Sequence, residues 1–168
     1  RQTEEQLRFL AHHDPLTGLA NRLLFHERLE SAMRAAHRHQ NSLALLFLDL
    51  NDFKHINDVH GHAMGDRVLC MMAGRLKDCI RETDTVARMG GDEFTVLLTD
   101  IQSVETVSRK VEQIIAAVAA PLGAEFGNIK TPSCSIGVAC YPADGEDADT
   151  LLSRADANMY RRKRRSQY

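Results

Sequence analysis

A chain of 168 residues is the usual size of one domain, and 43% hydrophobic with 26% charged residues is an ordinary globular composition. This composition excludes a mainly disordered chain, and apolar runs such as Leu43 to Leu48 are far shorter than the roughly 20 residues that cross a bilayer. We therefore predict no membrane contact. The net charge is −2, but five basic residues occupy 161–165 and leave 16 basic against 23 acidic residues elsewhere. Such an acidic body argues against nucleic-acid binding, and the basic run suits a helix C-terminus.

The first part of the chain alternates helical and extended patterns. Residues 4–12 are predicted to be the end of an N-terminal connecting helix (1–12), and the turn chemistry of Asp14 to Gly18 then opens one domain over 13–168. A helix is predicted over 21–38, with an inward stripe of Phe25, Leu29, Ala32, Met33 and Ala36. The apolar run at 43–50 predicts a central strand that is covered on both faces. Because the chain opens at Arg1 without a basic-then-apolar leader, we expect a piece of a longer, cytoplasmic protein.

The second part continues the same alternation. A helix is predicted over 64–80, with Val68, Met72, Leu76 and Cys79 inward, and strands over 85–89 and 92–98 flank a Gly90-Gly91 hairpin turn. The apolar period predicts a helix over 103–119, with Val104, Val107, Val111, Ile114, Ile115 and Val118 inward. A strand is predicted over 133–141 and a last helix from 147, with Leu151, Leu152, Ala155 and Met159 inward. One sheet covered by helices is the fold that this order favours.

The four cysteines are not spaced like metal ligands. No two of them are separated by two intervening residues, so a zinc site is not expected; they are Cys70, Cys79, Cys134 and Cys140. We expect all four to be reduced, buried thiols.

Two groups of carboxylates interrupt apolar segments. Asp49 lies near the end of the central strand, where a buried carboxylate must be paired or bind a cation unless the strand has reached the surface. Asp92 and Glu93 follow the hairpin glycines, where acidic residues also serve simply to solvate a turn. If the strand end and the hairpin tip are neighbours, three carboxylates meet at one edge, and such hard oxygen ligands suit Mg²⁺ with substrate phosphates.

A polar, glycine-punctuated segment, 51–66, follows the Asp49 strand and is predicted to be a ligand-binding loop. Lys54 is a candidate phosphate contact. Asn57 and Asp66 are candidates for reading a base edge, and an ionised Asp, which only accepts hydrogen bonds, favours guanine. Their alternative roles are a turn former and a helix cap.

Several motifs together resemble one family. Met89-Gly90-Gly91-Asp92-Glu93-Phe94 contains the signature of the GGDEF family of diguanylate cyclases. In the family's order and spacing, Asp14 to Arg22 resembles the opening motif, Leu48 to Lys54 the metal-binding strand end, and Asn57 to Asp66 the guanine loop. Ser135 to Ala139 and Ala155 to Tyr160 resemble the closing strand and helix, so the similarity covers about residues 12–165.

The resemblance implies an α+β fold, with a central, mainly antiparallel sheet wrapped by helices as in nucleotidyl cyclases and polymerase palms. It implies that two protomers each hold one GTP and together form cyclic di-GMP, a bacterial signalling molecule, with release of two pyrophosphates. Mg²⁺ or Mn²⁺ is the implied cofactor, held by Asp49, the Leu50 carbonyl, Asp92 and Glu93. Asp92 is also implied to help deprotonate the attacking hydroxyl, and Lys54 to stabilise the transition state.

The remaining implied roles concern substrate and product. The guanine loop of the family corresponds to Asn57, Asp66 and His62. Its phosphate contacts correspond to Lys163 and Arg88. An inhibitory cyclic di-GMP site corresponds to Arg81 and Asp84. Asn51 stands where many members have a second Asp, which leaves an alternative: a catalytically silent domain that binds GTP or cyclic di-GMP and regulates an attached domain. The expected partners are thus GTP, cyclic di-GMP and a second copy of the chain.

Overall fold

A computed structural model describes residues 2–166. The helices are α1 (Gln2–His12), α2 (Arg22–His39), α3 (Phe53–His60), α4 (His62–Asp78), α5 (Val104–Ala119) and α6 (Ala148–Ser166), and a short 3₁₀ helix spans Ala124–Phe126. The strands are β1 (Ser42–Leu50), β2 (Thr85–Gly90), β3 (Glu93–Ile101) and β4 (Cys134–Tyr141). They form one sheet in the order β2-β3-β1-β4, and every pairing is antiparallel. The predicted α+β class with an antiparallel sheet is confirmed.

The central strand β1 is apolar along nearly its whole length because both of its faces are covered. Leu46, Leu48 and Leu50 belong to a core formed with α3, α4 and α5. Leu45 and Phe47, with the opposite parity, belong to a second core formed with α2 and α6. Asp49 continues the second parity, so its side chain lies on the α2 and α6 side of the sheet.

The predicted hairpin is present, but its turn is one residue further along. Gly90 pairs with Glu93, so the two turn residues are Gly91 and Asp92 rather than the two glycines. Gly90 and Gly91 have φ values of 151° and 49°, which explains the need for glycine at both positions. The shift places Asp92 in the turn itself, at the tip of the hairpin.

The segment at 51–66, expected to be a loop, instead contains α3 and the first turn of α4. Phe53 and Ile56, three residues apart, are both buried and fasten this short helix to the core. Gly61, with φ of 89°, separates α3 from α4. The polar residues that suggested a loop form the exposed side of α3.

Other burial predictions are corrected in part. Val104 and Ile115 of α5 are 76% and 40% exposed, because the remaining apolar residues of the stripe already fill the face of α5 that meets the sheet. The four cysteines are free thiols as predicted, but only Cys79 is buried, whereas Cys70 is exposed and Cys134 and Cys140 are half-buried. Between residues 2 and 166, no helix is long and apolar enough to span a membrane.

Candidate active site

The sheet register brings the predicted carboxylates together at one end of β1. Asp49 is the direct cross-strand partner of Glu93 on β3 and of Ser135 on β4. Directly opposed residues of antiparallel strands point to the same face, so the side chains of Asp49 and Glu93 are neighbours. The Leu50 amide donates to the Asp92 carbonyl at 3.3 Å, which attaches the hairpin tip to the end of β1.

Both carboxyl groups of the hairpin tip are difficult to ionise in this setting. Burial, followed by a hydrogen bond with Asp49 and the charge of Asp49, raises the pKa of Asp92 to about 7. Burial also raises the pKa of Glu93, and the charges of Asp49 and Asp156 act in the same direction. A carboxyl group whose pKa lies near neutrality can hold or release a proton under physiological conditions.

Lys163, from the last helix, places a positive charge within this acidic cluster. Its ammonium lies 2.7 Å from Asp49 Oδ2 and 3.5 Å from the Leu50 carbonyl oxygen. The other carboxylate oxygen, Asp49 Oδ1, is buried without a hydrogen-bond partner. A buried carboxylate oxygen without a donor is costly, so this atom is available to an additional ligand.

The donor atoms at this edge fit a hard divalent cation. Within residues 2–166, no three His, Cys, Asp or Glu side chains are gathered as a ready metal cluster. Mg²⁺, however, is usually held by one or two carboxylates together with substrate phosphates. The partnerless oxygen of Asp49, the neighbouring Asp92 carboxyl and the Leu50 carbonyl are oxygen donors of this kind. Glu93, the cross-strand partner of Asp49, is a further oxygen donor.

The candidate nucleotide-binding residues lie on α3 and α4, which follow β1. Asn57 on α3 packs against α4, since a Cβ on Gly65 would lie 1.8 Å from Asn57 Oδ1. This places the Asn57 amide beside the residue that precedes Asp66 in α4. Lys54 in the first turn of α3 and His62 in the first turn of α4 are both exposed. The structure thus places polar side chains on two packed helices that follow the end of β1 where Asp49 lies.

Arg88 is held within the fold. Its Nε donates to the Gly91 carbonyl at 2.9 Å, and its Nη1 lies 2.9 Å from Asp14 Oδ1. The Arg88 and Asp14 side chains are only 16% and 14% exposed. Arg88 therefore connects the hairpin tip to the turn after α1. A contact between Arg88 and a substrate phosphate stays a prediction.

Arg81 and Asp84 lie together at the start of β2. Asp84 is buried and accepts hydrogen bonds from the backbone amides of Arg81 and Thr99, both at 3.1 Å. The Arg81 side chain is 58% exposed, is paired with Asp84, and donates to the Thr99 carbonyl at 2.7 Å. It lines a cavity of about 340 Å³ that Arg28 and Lys77 also line.

Sequence reasoning did not identify three residues at this edge. Arg22 and Asp156 lie close enough to Glu93 to shift its pKa in opposite directions. Asp14 was assigned to a turn and to the opening motif but to no partner, yet it pairs with Arg88 across 74 residues. For Asp156, the seven-residue spacing to Lys163 on one helix was an available signal, because this spacing places both on one face.

Comparisons with known proteins identify similar chains. The family profile described as "Diguanylate cyclase, GGDEF domain" matches residues 11–167. The chain is 46% identical over 156 residues to diguanylate cyclase TpbB of Pseudomonas aeruginosa, covering 93% of this chain and 36% of that protein. It is 33% identical over 163 residues to the cyclic di-GMP phosphodiesterase PdeR of Escherichia coli, covering 97% and 24%. The chain therefore spans about a third or less of the length of these curated relatives.

Two solved structures have closely similar folds. The GGDEF domain of TpbB superposes with a TM-score of 0.88 at 45% identity, covering 92% of this chain and 90% of that one. The coiled coil and GGDEF domain of DgcB from Caulobacter crescentus, solved in complex with c-di-GMP, has a TM-score of 0.86 at 29% identity, covering 98% and 86%.

Proposed function

Because the chain belongs to the GGDEF domain family, we propose that it is a diguanylate cyclase domain that condenses two GTP into cyclic di-GMP and releases two pyrophosphates. The observation that carries this proposal is the pairing of Asp49 with Glu93 beside Asp92 at the hairpin tip. In each half of the reaction, a ribose 3′-oxygen forms a bond to the α-phosphate of the other nucleotide, and the bond to pyrophosphate breaks.

A divalent cation, Mg²⁺ or Mn²⁺, is the proposed cofactor. Asp49, the Leu50 carbonyl, Asp92 and Glu93 would hold it, as their oxygen donors and the partnerless Asp49 Oδ1 support. When bound, the cation would neutralise phosphate charge and lower the pKa of an attacking hydroxyl.

The proposed base is Asp92, which accepts the proton of the attacking hydroxyl. In the metal-free protein, burial and the neighbouring Asp49 raise its pKa to about 7, a value at which a carboxyl group can exchange a proton near neutral pH. Lys54 and Lys163 are proposed to offset the negative charge that grows on the phosphates, and Arg88 is proposed as a further phosphate contact.

Guanine recognition is assigned to Asn57 and Asp66, with His62 nearby on α4. The Asp66 carboxylate accepts hydrogen bonds, which matches the two donors on the Watson–Crick edge of guanine. The packing of Asn57 on Gly65 supports this assignment, because it holds the amide beside α4.

An inhibitory product site is proposed at Arg81 and Asp84. Asp84 holds the Arg81 backbone and guanidinium, and the exposed part of that guanidinium lines a cavity with Arg28 and Lys77. Guanidinium and ammonium groups in this arrangement suit the phosphates of cyclic di-GMP.

The proposed active unit contains two copies of the chain, because each site is proposed to hold one nucleotide. Leu7, Phe9 and Leu10 of α1 are exposed by 60%, 49% and 56%, respectively, which supports the proposal that residues 1–12 form a connecting helix to a partner or a preceding segment. The domain proper is proposed to cover 13–168 and to act in the cytoplasm as part of a longer signalling protein.

The alternative is a silent domain that binds GTP or cyclic di-GMP and regulates an attached domain. Two observations favour it: one relative is named a cyclic di-GMP phosphodiesterase, and Asn51 replaces the Asp that many family members carry.

The deciding experiment incubates the concentrated chain with GTP and Mg²⁺ and separates the nucleotides by chromatography. Cyclic di-GMP is expected from the wild type and not from Asp49→Ala or Asp92→Asn, whereas Asp58→Asn, which removes an exposed carboxylate from α3, should retain activity. If the wild type is silent, a dimerising helix is fused before Arg1 and the assay is repeated. GTP binding without product in that fusion would refute the cyclase and support the regulatory alternative.

A further inference from the structure

Asn51, the residue that departs from the family pattern, is half-buried and makes three hydrogen bonds to Ser133 and Ser135. Its Nδ2 donates to Ser133 Oγ at 2.9 Å, and its Oδ1 accepts from Ser135 Oγ at 3.0 Å. Its backbone amide donates to the Ser133 carbonyl at 2.8 Å. The side chain is thus held between two hydroxyls of the neighbouring chain segment, an arrangement that we name the serine clamp.

The serine clamp acts on the residues that carry the proposed ligand atoms. Asn51 directly follows Leu50, and Ser135 is the β4 cross-strand partner of Asp49. The clamp therefore extends the pairing of β1 with β4 one residue beyond the last strand residue. Any movement of Asn51 would displace the Leu50 carbonyl, because the two are joined by one peptide unit.

The chain beyond Asn51 needs such a restraint. Asp52 has φ of 59°, a left-handed conformation that is unfavourable for a residue with a Cβ. Its side chain makes no capping hydrogen bond at the start of α3. A conformation of this kind persists only where the surroundings hold it, and the three hydrogen bonds of Asn51 lie directly before it.

We infer that Asn51 is a positioning residue for the metal-binding end of β1, through the hydrogen bonds of its side chain to Ser133 and Ser135. The inference rests on the proposed function, since it concerns the ligand atoms of Asp49 and Leu50. As a neutral amide, Asn51 achieves this positioning without adding a negative charge to Asp49, Asp92 and Glu93. An Asp at this position would accept hydrogen bonds from both serine hydroxyls, so Asn51→Asp should keep the serine clamp intact.

The test compares Mn²⁺ affinity by isothermal titration in nucleotide-free protein and amide hydrogen exchange at Leu50. For Asn51→Ala we expect at least fivefold weaker Mn²⁺ binding and faster exchange of the Leu50 amide, measured well below the melting temperature. Asn51→Asp should bind Mn²⁺ at least as tightly as the wild type. Asn128→Ala, which removes an exposed amide from the same cavity wall as Asn51, should change neither quantity.

The outcomes separate this inference from the proposed function. If the wild type binds Mn²⁺ and Asn51→Ala binds it equally well, with only a lower melting temperature, the residue is merely structural and the inference is overturned. If the wild type binds no Mn²⁺ without nucleotide, the inference fails, whereas the proposed cyclase activity is still decided by the assay with GTP and Mg²⁺. Weakened binding in Asn51→Ala that Asn51→Asp restores supports the positioning role.

Discussion

The ammonium of Lys163 lies 2.7 Å from the Asp49 carboxylate, although 114 residues separate them in the chain. The two side chains are only 22% and 14% exposed, so this pair is more shielded from water than a surface salt bridge. It joins the end of α6 to the end of β1, and it supplies positive charge where Asp49, Asp92 and Glu93 gather. The last helix is therefore part of the acidic site as well as a cover for the sheet.

Removing this cation should destabilise the metal-free protein. Lys163→Met removes the ammonium that pairs with Asp49 Oδ2, and we expect a loss of about 1–3 kcal/mol in the free energy of unfolding. Urea denaturation in EDTA measures it, with Lys130→Met, at an exposed lysine, as the matched control. Added Mg²⁺ should reduce the difference in the free energy of unfolding between Lys163→Met and the wild type. Equal stabilities of the two variants in EDTA would contradict the role of the pair.

The carboxyl group of Asp92 should make stability depend on pH. Its pKa is raised from 3.8 to about 7, so the folded state holds this proton more tightly than the unfolded state. Stability is therefore lost as the pH rises from about 4 to about 7, and this loss is complete above pH 7. Asp92→Asn removes the loss, and its stability gain over the wild type should be greater at pH 8 than at pH 5.

We expect this difference to be about 1–2 kcal/mol, allowing for solvent screening at a half-buried carboxyl group. Thermal and urea denaturation without divalent cations at the two pH values provide the measurement. Asp58→Asn, at an exposed carboxylate on α3, serves as the control and should show the same stability difference from wild type at both values. A pH-independent effect of Asp92→Asn would contradict the raised pKa.

Two glycines of α4 offer a matched test of the guanine assignment. Gly65→Ala would place a methyl group 1.8 Å from Asn57 Oδ1 and 3.2 Å from the Phe53 ring, so Asn57 must move. We expect at least tenfold weaker GTP binding, measured by equilibrium titration at a temperature where the variant is folded. Gly74→Ala in the same helix meets no atom within 4 Å and should leave GTP affinity unchanged while stabilising the protein by about 0.5–1 kcal/mol. Unchanged affinity in Gly65→Ala would exclude Asn57 as a guanine-reading residue.

The sequence predicted those parts of the fold that depend on local pattern. The apolar run of β1 and the stripe of α2 specify their own burial, and the hairpin glycines specify a tight turn. α3 was not predicted because only Phe53 and Ile56 of its eight residues are buried, and the polar remainder has the composition of a loop. The prediction that Val104 and Ile115 are buried was also wrong. Helical periodicity shows which side of a helix is apolar, but it does not determine how much of that side the sheet covers.

The sequence indicated which residues belong to the candidate site, but not which of their side chains contact each other. Asp49, Asp92 and Glu93 stood out because each interrupts an apolar segment or a turn, and the register then explains their proximity. The Lys163–Asp49 and Arg88–Asp14 contacts join positions 114 and 74 residues apart, and no local pattern encodes which charges meet at that distance. The serine clamp on Asn51 likewise depends on the register of β1 with β4.

The proposed inhibitory site can be tested without unfolding the protein, provided that Arg81 rather than Asp84 is changed. Arg81→Ala removes a side chain that is 58% exposed, so it should cost less than about 1 kcal/mol of stability while weakening cyclic di-GMP binding at least tenfold. Asp84→Ala instead deprives the backbone amides of Arg81 and Thr99 of their buried acceptor and should cost about 2–3 kcal/mol. Calorimetric titration with cyclic di-GMP measures the change in affinity, and urea denaturation measures the change in stability.

Arg109, an arginine of α5 outside the cavity, provides the control: Arg109→Ala should change neither the affinity for cyclic di-GMP nor the stability. Wild-type affinity for cyclic di-GMP in Arg81→Ala would exclude Arg81 as a contact of the product.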